Sequence, residues 1–91
     1  MTPMAAVHLS AAYPRSRVPI DLATRPSRAA IANTGPDVAL VSLSNESADS
    51  AARFYRAEVG KTVAFPIDGG THLVTTLADA SQEAHLEISV A

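Results

Sequence analysis

Three histidines, His8, His72 and His85, are the residues of this chain best suited to metal or acid–base chemistry. Histidines that form a metal site from local sequence usually lie three to five residues apart on a helix or two apart on a strand. No two of these histidines have either spacing, although His72 and His85 could meet if their strands were neighbours. We expect each ring to lie on a solvated face, so the sequence predicts no metal site and no cofactor.

Serine, aspartate and glycine are abundant, but their arrangement does not indicate catalysis. No serine lies in a Gly-x-Ser-x-Gly turn, and no acid is tied to a histidine by its spacing. The stretch Asp68-Gly69-Gly70-Thr71 is rich in glycine. A phosphate-binding loop needs the N-terminus of a helix after it, whereas the residues that follow here are typical of a strand. We therefore predict that the protein is not an enzyme.

Length and composition limit the classes of protein to consider. A chain of 91 residues can build one modest core, and 47% hydrophobic against 18% charged residues is typical of a globular fold. The net charge of −2 gives no broad positive field, so we expect no nucleic acid partner. No window approaches the roughly 20 apolar residues that a membrane-spanning helix requires, so we expect no membrane partner.

Turn residues recur about every eight to twelve positions, a spacing typical of an all-β sandwich or barrel. Between the turns, apolar and polar residues alternate. The clearest case is residues 84–90, where Leu86, Ile88 and Val90 share one face. We predict a small antiparallel β-sandwich or jelly-roll-like barrel of about seven to eight short strands.

Two turns are predicted to connect paired strands. Asn33-Thr34-Gly35-Pro36 separates an alanine-rich strand from the apolar run at 38–43, and Gly69-Gly70 separates the strands near 61–67 and 71–77. We expect residues 15–91 to form the single sandwich domain. Residues 1–14 are predicted to form an N-terminal arm.

Residues 47–58 carry signals for two different structures. Alanines, Tyr55 and Val59 follow a helical spacing, with Gly60 where a helix could end. An isolated helix of this length is weak in water, and Phe54-Tyr55-Arg56 could equally form a short strand. We favour the strand with a preceding loop, and a short helix at 47–58 is the alternative.

The run at 38–43 is apolar at positions that would face opposite sides of a strand. Such a strand is expected to bury one face in the core and the other against a second layer or a neighbouring subunit. The apolar N-terminal arm could also cross onto a neighbour. The candidate residues of a subunit interface are Val38, Leu40, Val41, Leu43, Val7 and Leu9.

Several short strand and turn motifs follow one another along the chain from Val18 to the C-terminus. They are Ile31-Ala32-Asn33-Thr34-Gly35, Val38-Ala39-Leu40-Val41-Ser42-Leu43, Val59-Gly60, Phe65-Pro66-Ile67, Gly70-Thr71-His72-Leu73 and Leu86-Glu87-Ile88-Ser89. In this order they resemble the small β-sandwich structural proteins of tailed-bacteriophage virions. That group includes head decoration proteins and head-fibre or spike-base proteins.

The resemblance implies a non-enzymatic structural protein that resides in the virion after assembly in the host cytoplasm. Its implied partners are copies of itself, with a trimer favoured, and other virion proteins such as the major capsid protein. The alternative is a carbohydrate- or small-ligand-binding module. That alternative is weaker because sugar-binding surfaces usually use exposed Trp or Tyr, and the chain has no Trp and only Tyr13 and Tyr55.

Overall fold

The computed structural model describes residues 2–21, 23, 26–44, 54–67, 70–79 and 81–91. Within these ranges the regular elements are strands, which confirms the predicted all-β class. None of the described residues forms a helix long and apolar enough to cross a membrane. The strands are β1 Thr2–Leu9, β2 Arg15–Pro19, β3 Arg28–Pro36, β4 Ala39–Ser44, β5 Phe54–Ala57, β6 Thr62–Pro66, β7 His72–Leu77 and β8 Ala84–Val90.

The strands form two four-stranded antiparallel sheets. We call the sheet with the order β1-β8-β3-β6 sheet A and the sheet with the order β2-β7-β4-β5 sheet B. Among these strands, β4 and β5 are the one pair that follow each other in the chain and also lie side by side in a sheet. Every other connection leads from one sheet to the other. An eight-stranded double sheet with this order is a jelly roll.

The core lies between the sheets and follows the predicted alternation. In β8, Leu86 and Ile88 are each 1% exposed, whereas His85 and Glu87, which alternate with them, are exposed. Strands β3 and β7 add Ile31, Leu73 and Leu77 to the same core cluster, but each of these strands also buries three consecutive residues, so their burial does not alternate strictly. The largest buried side chain, Phe65 of β6, stacks on Tyr55 of β5 with ring centroids 4.4 Å apart. This aromatic pair ties an edge of one sheet to an edge of the other.

The predicted hairpin around Gly69-Gly70 is wrong, because the strands on either side belong to different sheets. Strand β6 pairs with β3, and β7 pairs with β2 and β4. The chain enters β7 beside the end of β4, where the Thr71 N–H donates to the Ser44 carbonyl at 3.0 Å. A glycine-rich turn indicates that the chain reverses, but it doesn't determine which sheet the next strand joins.

The predicted separate arm at 1–14 also differs from the structure. Residues 2–9 form β1, which pairs along its length with β8 at the edge of sheet A. Its inward residues Val7 and Leu9 are buried in the core cluster. Burial of these two side chains makes the segment part of the sandwich rather than an appendage.

The strand prediction within 47–58 is confirmed for residues 54–57, which form β5 and pair with β4. Residues 47–53 of the proposed helix lie outside the described residues, and its last residue, Glu58, is not helical. The short strand is positioned by Tyr55 and Ala57, which face the core.

The predicted turn at Asn33-Thr34-Gly35-Pro36 is instead the last part of β3. The register of β3 against β8 shifts between Asn33 and Gly35, where Gly35 has a φ of +99°. A bulge of this kind bends a strand, and glycine tolerates positive φ because it lacks a Cβ. The chain then leaves sheet A and begins β4 of sheet B at Ala39.

We call the passage from the bulge at Asn33 to the start of β4 the corner. Asn33 is only 1% exposed, and both its side chain and its backbone make hydrogen bonds that stabilise the corner. Its Nδ2 donates to the carbonyls of Asp37 and Ala57, each at 2.8 Å, and its Oδ1 accepts the Gly35 N–H at 2.8 Å. Its backbone N–H donates to the Lys61 carbonyl and its carbonyl accepts from the Gly60 N–H. One buried residue therefore links β3 to the end of β5 in the other sheet and to the connection that leads to β6.

Asn33→Ala should lower the free energy of unfolding by about 3 kcal/mol or more, because it leaves two buried groups, on Ala57 and Gly35, and one part-buried group, on Asp37, without their partner. Urea denaturation followed by circular dichroism measures the loss. The matched control is Thr34→Ala, which removes an exposed hydroxyl bonded to the His85 carbonyl at 3.2 Å and should cost less than about 1 kcal/mol. Equal losses for the two variants would contradict the role assigned to Asn33.

Thr75 of β7 is fully buried opposite Val41, and its hydroxyl has no hydrogen-bond partner among the described residues. Thr75→Val keeps the shape of the side chain and removes an unpaired polar group. The variant should therefore gain about 1 kcal/mol in the same denaturation experiment. Thr76→Val, at the next position and half-buried on the other face, should change stability by less than about 0.5 kcal/mol. A destabilised Thr75→Val variant would show that the hydroxyl is stabilised by a group such as a bound water.

Candidate functional site

Three side chains able to bind a metal come together on the outer face of sheet A: His8, Glu83 and His85. One ligand atom from each lies within 4.8 Å of the others. His8 of β1 lies directly opposite His85 of β8, and their rings stack with centroids 4.2 Å apart and planes inclined by 9°. We call these three residues the histidine cluster.

Glu83 lies just before β8 and completes the histidine cluster. Its Oε2 is 2.9 Å from Nε2 of His8, and both side chains are about half exposed, at 48% and 53%. The backbone of Glu83 is fixed by Asp37. The Glu83 N–H donates to Oδ2 of Asp37 at 3.0 Å, and the Asp37 N–H donates to the Glu83 carbonyl at 2.9 Å. The corner after β3 therefore positions the acid of the cluster.

The orientation of His85 is set by the bulge in β3. Nδ1 of His85 is 3.2 Å from the carbonyl oxygen of Gly35. A carbonyl can only accept, so this contact assigns the proton to Nδ1 and leaves a lone pair on Nε2. The same reasoning assigns the proton of His8 to Nε2, where it is donated to Glu83 when the carboxyl group is ionised.

The histidine cluster has the donors of a metal site, namely two imidazoles and one carboxylate. Among the described residues, no serine or threonine hydroxyl is hydrogen-bonded to the ring of His8 or His85. The cluster thus lacks the hydroxyl–imidazole contact that activates a nucleophile in a hydrolytic triad.

His72 and His85, the two histidines that the sequence suggested could meet, do not lie together. His72 lies in β7 of sheet B, whereas His85 lies in β8 of sheet A, so the two are not on neighbouring strands. His72 instead contacts Thr71, with its Nδ1 2.9 Å from the threonine hydroxyl. Alternation placed His85 on an outward position, but nothing local indicated that the first strand would pair with the last. That pairing is what brings His8 to His85.

The six predicted interface residues occupy different environments. Val7, Leu9 and Val41 belong to the core cluster, and Leu43 packs against it. Val38 is half-buried just before β4. Leu40 is half-buried on the outward face of β4, between Thr76 and Arg56 of the adjacent strands. The outward face of β4 is therefore less apolar than expected, because Ser42 and Ser44 share it with Leu40.

The four edge strands differ in how well they are protected from pairing with another chain. Strand β2 contains two arginines and a proline, β5 has only four residues, and β6 has five and ends at Pro66. Strand β1 has eight residues and no Lys, Arg, Asp or Glu, and its protecting features are confined to its start, where it contains Pro3 and its register against β8 shifts between Pro3 and Ala5. Apart from its pairing with β8, it makes no backbone hydrogen bond to another described residue. Long uncharged edges of this kind are templates for strand addition.

Comparison with protein-family models, with curated proteins and with solved structures found no match to this chain.

The two faces of β4 should respond differently to a charge. Val41→Asp places an unpaired carboxyl group at a fully buried position and should cost at least about 4 kcal/mol, which would leave the chain largely unfolded. Leu40→Asp places the same group opposite Arg56 and should cost less than about 2 kcal/mol. Thermal denaturation followed by circular dichroism separates the two. Unfolding by Leu40→Asp would show that its outward face is tightly packed.

Proposed function

We propose that this protein is a non-enzymatic structural subunit of a tailed-phage virion, either a capsid decoration protein or a fibre or spike-base subunit. It acts by packing against copies of itself and against other virion proteins such as the major capsid protein. The observation that carries the proposal is the long edge strand β1, which has no Lys, Arg, Asp or Glu and which pairs regularly with β8 from Ala5 to Leu9. The jelly-roll strand order supports it by analogy, since many viral capsid domains are jelly rolls, as are lectin domains and cupins.

A second copy of the chain is the occupant that best fits the β1 edge. Sheet A has two edges, β1 and β6, and neither contains a charged residue. The edges of sheet B, by contrast, both contain arginine. Pairing between the two uncharged edges avoids burying an unpaired charge at the junction.

The strand directions in sheet A suit such pairing. All neighbours in the order β1-β8-β3-β6 are antiparallel, so β1 and β6 run in opposite directions. Consider a second copy placed beside the first so that equivalent strands of the two copies run in the same direction. Its β1 then lies antiparallel to β6 of the first copy. The antiparallel sheet then continues from copy to copy. A head-to-tail contact forms a ring when the rotation between copies closes and a filament when it does not, and we propose the closed form with three copies.

The carbohydrate-binding alternative has less support. Tyr55 is half-buried and stacked on Phe65, so its ring face is used within the protein. Tyr13 is 74% exposed and is the other tyrosine of the chain. A single exposed tyrosine provides little surface for stacking against sugar rings.

Ala6→Lys in β1 and Ala64→Lys in β6 test the proposed contact, because both alanines are exposed on edge strands of sheet A. A lysine on an edge strand opposes pairing with another strand, so each variant should become a folded monomer. The wild-type protein should have three times the mass of one chain in size-exclusion chromatography with light scattering. The control is Ala78→Lys, at an exposed position outside the strands, which should remain a trimer.

A monomeric wild-type protein, or a trimer that survives both edge substitutions, would overturn the proposed contact. A wild-type dimer would also overturn it, because antiparallel pairing of β1 with its own copy is a twofold contact. The virion role is tested separately by quantitative mass spectrometry of purified phage particles. The proposal predicts a fixed copy number of this chain per particle, and its absence from intact particles would exclude the role.

A further inference from the structure

We propose that His8, Glu83 and His85 bind a divalent transition-metal ion of the zinc class, and that the ion joins the end of β1 to the start of β8. This site is independent of the proposed virion role and of the trimer contact. All three ligands come from one chain, and the ligand atoms already lie within 4.8 Å of one another.

The donor set selects the class of ion. Imidazole nitrogen is a ligand of Zn²⁺, Cu²⁺ and Ni²⁺, and a carboxylate oxygen completes many zinc sites. Ca²⁺ and Mg²⁺ prefer a shell of oxygen ligands, which two histidines do not provide. Three protein ligands leave the remaining coordination positions of the ion to water.

A metal-binding histidine commonly uses one ring nitrogen for the ion and donates a hydrogen bond from the other. His85 already makes such a hydrogen bond. Its Nδ1–H is donated to the Gly35 carbonyl, which leaves Nε2 available as a ligand. The position of Gly35 is fixed in turn by the bond from its N–H to Oδ1 of Asn33. The corner that joins the two sheets thus holds one ligand in the tautomer that binds a metal.

His8 and Glu83 must exchange their hydrogen bond for bonds to the ion. The proton on Nε2 of His8 moves through solvent to Nδ1, and the freed lone pair on Nε2 binds the metal beside the Glu83 carboxylate. The two rings must also tilt, because imidazole lone pairs lie in the ring planes and the planes are now inclined by only 9°. Both histidines are exposed, so their rotation does not disturb the core.

Binding should stabilise the fold through the edge strand. The cluster forms only when β1 is paired with β8, because residue 8 is brought to residues 83 and 85 by that pairing. An ion that binds the folded protein and not the unfolded chain raises the midpoint of thermal unfolding in a concentration-dependent way.

Isothermal titration of the untagged full chain with ZnCl₂ in a non-chelating buffer tests the site. The expected result is one ion per chain and a higher thermal midpoint when zinc is present. His8→Gln, Glu83→Gln and His85→Gln should each weaken zinc binding by roughly tenfold or more. The matched control is His72→Gln, which alters the third histidine of the chain in the other sheet and should leave the affinity unchanged.

Circular dichroism without metal establishes that each variant is folded, and Co²⁺ gives a second measurement that does not depend on stability. Wild-type protein with Co²⁺ should show the visible absorption of a site with nitrogen and oxygen ligands, and His8→Gln should lose it. Absence of zinc binding in the wild-type chain would overturn the proposal. Binding that survives all three cluster substitutions, or that is lost equally in His72→Gln, would also overturn it.

Discussion

The hydrogen bonds of Asn33 are the constraint on which the rest of the sandwich depends. The chain passes from sheet A to sheet B between β3 and β4, and that passage begins at the bulge beside Asn33. A buried amide is costly unless all its polar atoms are paired. Here the amide oxygen and nitrogen are both used, and they reach β3, the corner and β5 at once. The local bend and the alignment of the two sheets are thereby set by the same residue.

The consequences of this corner extend to the outer surface of sheet A. The carbonyl of Gly35 orients His85, and Asp37 fixes the backbone of Glu83 by reciprocal hydrogen bonds. The histidine cluster is therefore supported from the interior, although its own side chains are exposed. An exposed cluster usually has many conformations, and attachment to a rigid corner reduces that freedom.

Strand β1 has two roles that follow from its position as the first strand and an edge strand. Its inward residues Val7 and Leu9 complete the core, while its outward His8 contributes to the histidine cluster. Its free edge is the part of the molecule best suited to pairing with another chain. Among the described residues, the core it completes contains four alanines, two of them at the ends of β4 and β5, and one large aromatic side chain that is fully buried. The pairing proposed for the β1 edge would bury surface in addition to this thin core.

The all-β class and the alternation that separates core from surface, as in Leu86 and Ile88 of β8, follow from the pattern of residues along the chain. These properties are local, because a strand places successive side chains on opposite faces whatever its neighbours are. Strand pairing is not encoded in this local pattern. The fold therefore differs from the hairpin predicted at Gly69-Gly70, the turn predicted at Asn33 and the separate N-terminal arm. Pairing depends on burial of both sheets against each other and on contacts between residues far apart in the chain. The meeting of His8 with His85 is the clearest example, since only the closure of sheet A by its first and last strands brings them together.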